Sequence, residues 1–199
     1  MTTTLLEPEL ERFPNRYRWT VAQCYELAES GRLVGRYEVL DGEIINKMGQ
    51  GPEHYFGINQ FVHWANAIFG DRFSRIQGPI KLVSPDNIYS EPEPDIAITK
   101  EHSAVYAKRT PGPEDLLLVA EISDSSLPTD LLVKARLYAR SGIVEYWVVN
   151  LTDRTLHIHR EPKDGEYSVI TVHGENESVS LVSRPNASVL ISDLLPPLN

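Results

Sequence analysis

The sequence predicts an α/β fold in which a mixed central sheet is flanked by helices and extended by additional antiparallel strands. Three features carry that expectation. Residues 116–122 form a near-continuous apolar run of strand length, residues 129–140 have helical periodicity and close on Gly142, and residues 144–150 form a second apolar strand without alternation. Two such strands joined by a helix read as a β-α-β unit, because parallel neighbours need a crossover and are covered on both faces. After Asn150 the pattern changes. Residues 155–160, 167–172, 178–181 and 188–191 alternate and are separated by turn residues, as antiparallel strands with a solvated face do, so they should extend or cover the core sheet.

The earlier elements follow in order. Residues 1–18 are polar and proline-punctuated and read as a mobile arm or an extended edge segment, so an arm is expected over 1–19 and a single domain over 20–199. Thr20 is placed to cap a helix from Val21 to about Ser30, with Val21, Cys24, Tyr25, Leu27 and Ala28 near one face and Gly31 as its stop. Two β-type runs, 36–40 and 43–45, are joined by Asp41-Gly42, a pair that tolerates the positive φ of a short hairpin. Residues 52–69 predict a long helix ended by Gly70, which crosses the sheet. Short β-rich pieces near 72–81 and 95–99 flank a loop over 84–94 rich in Pro, Asp and Asn. There is no internal repeat or low-complexity tract to mark a second unit.

Composition narrows the function. At 199 residues the chain can bury one sizeable core, and 41% hydrophobic with 24% charged residues is the balance of a folded globular protein. No apolar run approaches the ~20 residues that span a bilayer, and the start lacks a secretory pattern, so a cytoplasmic location is expected. Cys24 is the only cysteine, which leaves no internal disulfide and no second thiolate for zinc; it should be a packing residue. A formal net charge of −9 opposes strong non-specific nucleic-acid binding. Clustered acids nevertheless attract divalent cations, and a local strip drawn from Arg72, Arg75, Lys81, Lys108 and Arg109 could hold a phosphate backbone. Phosphate-loop and dinucleotide fingerprints are missing, and no Gly-x-Ser-x-Gly elbow surrounds Ser125 and Ser126, which are better read as loop or helix-entry hydrogen-bonding groups.

The sharpest chemical signal is Glu121, which follows five apolar residues and precedes Ile122 in a strand that should be buried. A buried ionised group needs a partner, so Glu121 is either in a structural ion pair with a helix residue such as Lys134 or Arg136, at a strand end that reaches solvent, or at a metal. Pro94-Asp95 opens another short apolar strand with a carboxylate, and carboxylates on neighbouring strands can share a cation. Asp95, Glu121 and the carbonyl of Ile122 would suffice for magnesium, which favours hard oxygen ligands and retains waters. Asp130, Lys134 and Tyr138 recur every four residues and so share a helix face; taken alone they read better as an exposed ion pair and a core tyrosine than as site residues.

Taken together, Glu38, Pro94-Asp95, Glu121-Ile122-Ser123, Asp130, Lys134 and the Gly142 to Val149 strand resemble the Uma-type family of bacterial restriction endonucleases, whose members look like PD-(D/E)xK nucleases. The likeness runs from about Thr20 to Leu195 and is most specific over residues 118–150. It implies a restriction-endonuclease-like fold, with Asp95 and Glu121 as metal-binding carboxylates, Glu38 as an acidic group at the site's edge and Lys134 as the positive group. His54 on the long helix would border the cleft, although a lone histidine also suits a simple hydrogen-bonding role. Ser123 stands where the motif has its lysine, so Lys134 would substitute from the helix. The expectation is Mg²⁺-dependent (or Mn²⁺-dependent) hydrolysis of DNA by a cytoplasmic enzyme, with a homodimer permitted by the exposed edges and the apolar 146–149 region, and with Ser123 and Asp130 supporting the site. The acidic charge and Ser123 motivate the alternative of an inactive nuclease fold that binds nucleic acid or a protein partner.

Overall fold

In the computed structural model, which describes residues 16–47 and 49–198, chain order runs from helix α1 (Val21–Glu29) through the hairpin β1 (Tyr37–Leu40) and β2 (Glu43–Asn46) to the long helix α2 (Pro52–Phe69). There follow β3 (Ser74–Ile76), a short helix α3 (Asp86–Tyr89), β4 (Ile96–Thr99) and β5 (Leu116–Ser123). A π-helical turn (Thr129–Lys134) runs into α4 (Ala135–Arg140), and the chain ends with β6 (Glu145–Asn150), β7 (Thr155–Lys163), β8 (Glu166–Gly174), β9 (Ser178–Leu181) and β10 (Arg184–Leu190). Most of the expected arm, residues 1–15, lies outside the described residues. Its last part is pinned to the hairpin, where Arg16 pairs with Glu43 and Arg18 with Asp41.

Six strands form the central sheet in the order β3-β4-β5-β6-β7-β8. Only β5 and β6 are parallel, and the helical crossover between them supplies the expected β-α-β unit. All other neighbours are antiparallel. The sheet is therefore mixed, and β7 and β8 extend it as the alternating pattern requires. The last hairpin, β9–β10, forms its own two-stranded sheet and contributes Val179, Leu181 and Val189 to the core.

Side-chain alternation divides the interior into two layers. Leu118, Ala120 and Ile122 of β5 join Trp147 and Val149 of β6 against Ile58, Phe61 and Ala65 of α2. Val119, Tyr146 and Val148 point to the opposite face and pack against Ala135, Leu137, Tyr138 and Ala139. Burial on both faces is why these strands read as unbroken apolar runs. α1 begins where Thr20 caps it in a reciprocal capping box with Gln23, and Cys24 is its buried residue. Among the described residues no helix is long and apolar enough to cross a membrane.

The structure departs from expectation where side chains and punctuation override periodicity. The β-rich piece near 72–81 contributes only three strand residues, because Gln77 takes a positive φ of 48° and Gly78-Pro79 follow it. The loop over 84–94 contains α3. The helix expected over 129–140 is π-helical for its first six residues, and the Ala135 amide bonds the Asp130 carbonyl five residues back.

Phe61, fully buried between α2 and the sheet and edge-on to both Trp64 and Trp147, tests this core. Phe61→Ala should lower stability by ~3–5 kcal/mol, read as a reduced urea midpoint with unchanged slope.

Candidate functional site

Asp95 stands immediately before β4, and the register of that strand with β5 pairs Ile96 with Ala120. The next position outward sets Asp95 opposite Glu121, and directly opposed residues of an antiparallel pair project to the same face. The two acids are then cross-clamped. The Asp95 amide donates to Glu121 Oε2 at 3.1 Å, and the Ile122 amide donates to Asp95 Oδ2 at 2.9 Å.

The crossover delivers the countercharge. Lys134, 4% exposed, places Nζ 2.9 Å from Glu121 Oε1, 3.1 Å from Glu38 Oε1 and 3.5 Å from Asp130 Oδ1. Tyr138, one further step along the same helical face, donates to Glu121 Oε1 at 3.3 Å. Ser123 and Ser126 both donate to Asp130 Oδ2, at 2.5 and 2.7 Å. Ser126 thus has the helix-entry role expected of it. Ser123 fixes Asp130, and the cation of the site comes from Lys134.

Two further elements close the arrangement. His54, in the first turn of α2, places Nε2 3.1 Å from Asp95 Oδ2, and Gln77 at the end of β3 donates to Asp95 Oδ1 at 3.3 Å. α2 comes this near because Gly57 faces β5: a Cβ there would lie 2.9 Å from Ile122 Cγ2. A cleft of about 310 Å³ opens onto the group, lined by Glu38, His54, Asp95, Glu121, Asp130 and Lys134 together with Lys47, Gly49, Gln50, Gly51 and Asp124–Ser126.

The structure therefore brings together Glu38, His54, Asp95, Glu121, Ser123, Asp130 and Lys134. Of the two helix residues considered as partners of Glu121, Lys134 is the one in contact; Arg136 pairs with Glu166 instead. Two placements differ from expectation. Glu38 is 5% exposed and lies within the network rather than at its edge, because β1 turns it toward Lys134 and the Glu93 amide donates to its Oε2. The Asp130–Lys134 pair is buried, not solvated. Tyr138, which spacing placed on the face of Asp130 and Lys134, is buried as a core tyrosine and also a polar partner of Glu121, whereas Gln77 is a partner that the sequence did not single out. The proposed basic strip does not form as one surface: Arg109 is held by Asp115, and of the five residues Arg72 and Arg75 share a pocket.

Electrostatics follow from one ammonium serving several acids. Burial pushes the Glu121 carboxyl well above the ordinary glutamate range; Lys134 opposes this, while Asp130, Asp95 and Glu38 reinforce it. Asp130 is raised for the same leading reason, its burial. Burial would also raise Asp95, yet His54, the Ile122 amide and Lys134 together hold it below its usual value. Desolvation works against the Lys134 charge but is outweighed by Glu121, Glu38 and Asp130, so its pKa rises. Both Nδ1 of His54 and Oδ1 of Asp130 are buried without a hydrogen-bond partner.

These directions set a pH dependence. A lysine pKa raised by folding contributes stability that is fully present below its unfolded value and lost only as pH rises through the folded one. The raised carboxyls of Glu121 and Asp130 act against stability as they ionise above their ordinary values. Lys134→Met should therefore cost ~3–5 kcal/mol at about pH 8 and distinctly less at about pH 5, where the abandoned acids take up protons. Urea titrations in chelator at both pH values check this.

Residues 23–190 match the Uma2 family, described as "Putative restriction endonuclease". Among solved structures, a crystal structure described as a "putative nuclease belonging to DUF820", from Anabaena variabilis ATCC 29413, superposes with a TM-score of 0.61 at 18% identity, covering 84% of this chain and 96% of that one. That likeness is one of fold. No curated protein matches the chain. With most of its length matched, and with the acidic strand pair and crossover lysine assembled into one cleft, the chain belongs to the Uma2 family.

Proposed function

We propose that this protein is a Mg²⁺-dependent endonuclease that hydrolyses DNA phosphodiester bonds, with Asp95, Glu121 and the carbonyl of Ile122 holding the cation. The observation that carries the proposal is the cross-clamped pair of carboxylates at the mouth of a cleft, inside a sheet where neither would be tolerated without compensation. Family membership supports the same reaction class.

The donor set suits a hard cation. Four carboxylates, Glu38, Asp95, Glu121 and Asp130, face one lysine, so the group carries surplus negative charge. Among the described residues no three His, Cys, Asp or Glu side chains form a ready-made metal cage. Two carboxylates and a carbonyl leave positions for water, which magnesium retains and manganese accepts. A divalent cation bound there would acidify a water and offset the charge that develops on the attacked phosphate.

The chain's own groups have distinct parts in this reading. Asp95 offers an oxygen that stays ionised, while His54 and Gln77 fix its plane. Lys134 directs its ammonium at Glu121, Glu38 and Asp130, so it acts by holding those acids in place and balancing their charge, and not as a direct phosphate ligand. Glu38 and Asp130 keep that ammonium in position, and Ser123 and Ser126 orient Asp130. Tyr138 supplies Glu121 with a third donor, after the Asp95 amide and Lys134, from the apolar side.

Purified protein with Mg²⁺ or Mn²⁺ should cleave DNA, and Asp95→Ala and Glu121→Ala should each reduce the rate ~100-fold or more. Equal activity in all three proteins would reject the assignment. Inactivity of the wild type, with no difference between it and Glu121→Gln in calorimetric Mn²⁺ binding, would favour a retired nuclease fold that binds nucleic acid or a protein. His54→Ala should weaken Mn²⁺ binding by ~10–100-fold through loss of Asp95 orientation, with His54→Gln recovering part of it.

A further inference from the structure

A second polar pocket lies along the sheet edge, away from the carboxylates. Arg72, Ser74, Arg75, Thr99, Ser103 and Tyr106 enclose about 210 Å³ between β3, the end of β4 and the 3₁₀ turn Ser103–Tyr106. Most cations of this acidic chain are committed: Arg16, Arg18, Arg36, Lys47, Arg109, Lys134, Arg136, Arg140, Arg154 and Arg160 each pair with a carboxylate. Among the described residues Arg72 and Arg75 do not, and neither do Arg32, Lys81, Lys100, Lys108, Lys163 and Arg184; what sets Arg72 and Arg75 apart is that they line one pocket together, although Asp71 and Glu101 lie nearby in sequence.

Arg75 is held by its side chain and Arg72 by its backbone. Arg75 Nε donates to the Pro79 carbonyl at 3.1 Å, and its guanidinium lies over Gly78, where an added Cβ would come within 2.6 Å of Nε. The Arg75 fork is thus oriented, and its Nη groups have no acceptor among the described residues. Arg72 takes a left-handed φ of 74°, and its carbonyl accepts the Ser103 amide at 2.8 Å, which ties it to the turn on the far wall. Ser103 adds an exposed hydroxyl. Thr99 and Tyr106 spend their hydroxyls elsewhere, on backbone carbonyls and on Asp115, so the pocket's free donors are the two guanidinium groups and Ser103.

The strand β3 links this pocket to the cleft. Its register runs from Ser74 opposite Ile98 to Ile76 opposite Ile96, and Gln77 just beyond it donates to Asp95. From Thr99 to Asp95 is roughly 13 Å at ~3.3 Å per residue, the axial length of about four phosphates on one strand of a duplex at ~3.4 Å each. An arginine fork suits a phosphate diester better than a lysine does, since it offers parallel donors in a fixed plane.

We propose that Arg72, Arg75 and Ser103 form a phosphate-binding subsite that holds the backbone of a nucleic acid whose neighbouring phosphates lie in the Asp95–Glu121 cleft. This inference rests on the nuclease reading for the identity of the ligand. It gives a chain with net charge −9 a place to accept a polyanion: an edge pocket that sets two guanidinium groups side by side without a pairing acid among the described residues.

The test is fluorescence anisotropy with a labelled DNA duplex and Ca²⁺ in place of Mg²⁺, comparing wild type, Arg72→Ala/Arg75→Ala and Lys163→Ala on the β7–β8 turn. The double variant should bind ~10-fold or more weakly, with the slope of log affinity against log salt shallower by about 2, while Lys163→Ala and the urea midpoint stay at wild-type values. Equal affinity and slope in the double variant would overturn the subsite, as would a wild type that binds no duplex. Loss of inorganic phosphate binding with unchanged DNA affinity would also overturn it, assigning the pocket to a small anion. Cleavage by the wild type in Mg²⁺ is scored separately, so an inactive protein that still needs both arginines to bind DNA rejects the nuclease reading and retains the subsite.

Discussion

One buried ammonium organises this molecule. Glu121 sits within an apolar strand, and Lys134, reaching back from the crossover that the same strand feeds, is the cation that offsets its charge there, with the Asp95 amide and the Tyr138 hydroxyl as further donors. Because Lys134 also contacts Glu38 and Asp130, a single side chain ties β5, the π-helical turn and the β1–β2 hairpin to one point. The hairpin belongs to a different sheet from β5, so this contact does more than satisfy a charge: it fixes how the outlying sheet sits over the central one.

The rest of the scaffold serves the same point from the other side. α2 buries Ile58, Phe61 and Ala65 against the sheet, and the missing side chain at Gly57 lets its first turn come down over Ile122. That approach is what sets His54 beside Asp95. The opposed register of β4 and β5 puts the two acids on one face, where the Asp95 amide holds the Glu121 side chain and the Ile122 amide, next to Glu121, holds that of Asp95. Rotation of either carboxylate would leave a buried N–H without an acceptor, which is costly. Rigidity of this kind is what a group needs if it is to present oxygens to a cation without reorganising.

A different buried carboxylate shows that burial alone does not mark a site. Glu145 is fully buried on β6, where its oxygens accept Arg160, the Trp147 indole and the Val182 amide. Both oxygens are engaged by the fold, and Glu145 anchors the β9–β10 hairpin to the sheet. Glu121 differs because its neighbourhood holds more acids than cations and opens onto a cleft.

Much of this was legible in the chain. Unbroken apolar strands around a helical segment gave the β-α-β unit, Asp41-Gly42 the first hairpin, Thr20 and Gly70 the helix ends, and an acid inside an apolar strand gave Glu121. Those signals are local: they depend on side-chain period, on backbone conformations that few residues accept, and on the cost of burying charge. Glu38 was harder, since an alternating hairpin gives its charged residues to solvent unless another layer covers them, and the covering layer is the crossover helix. The π-helical turn left no trace in periodicity, because a widened turn is selected by packing and by the Asp130 and Lys134 contacts. The sequence determined which residues carry charge into the interior; only the tertiary structure decided which of them meet, because convergence rests on strand register, on the approach of α2 at Gly57 and on long-range pairing that no local pattern encodes.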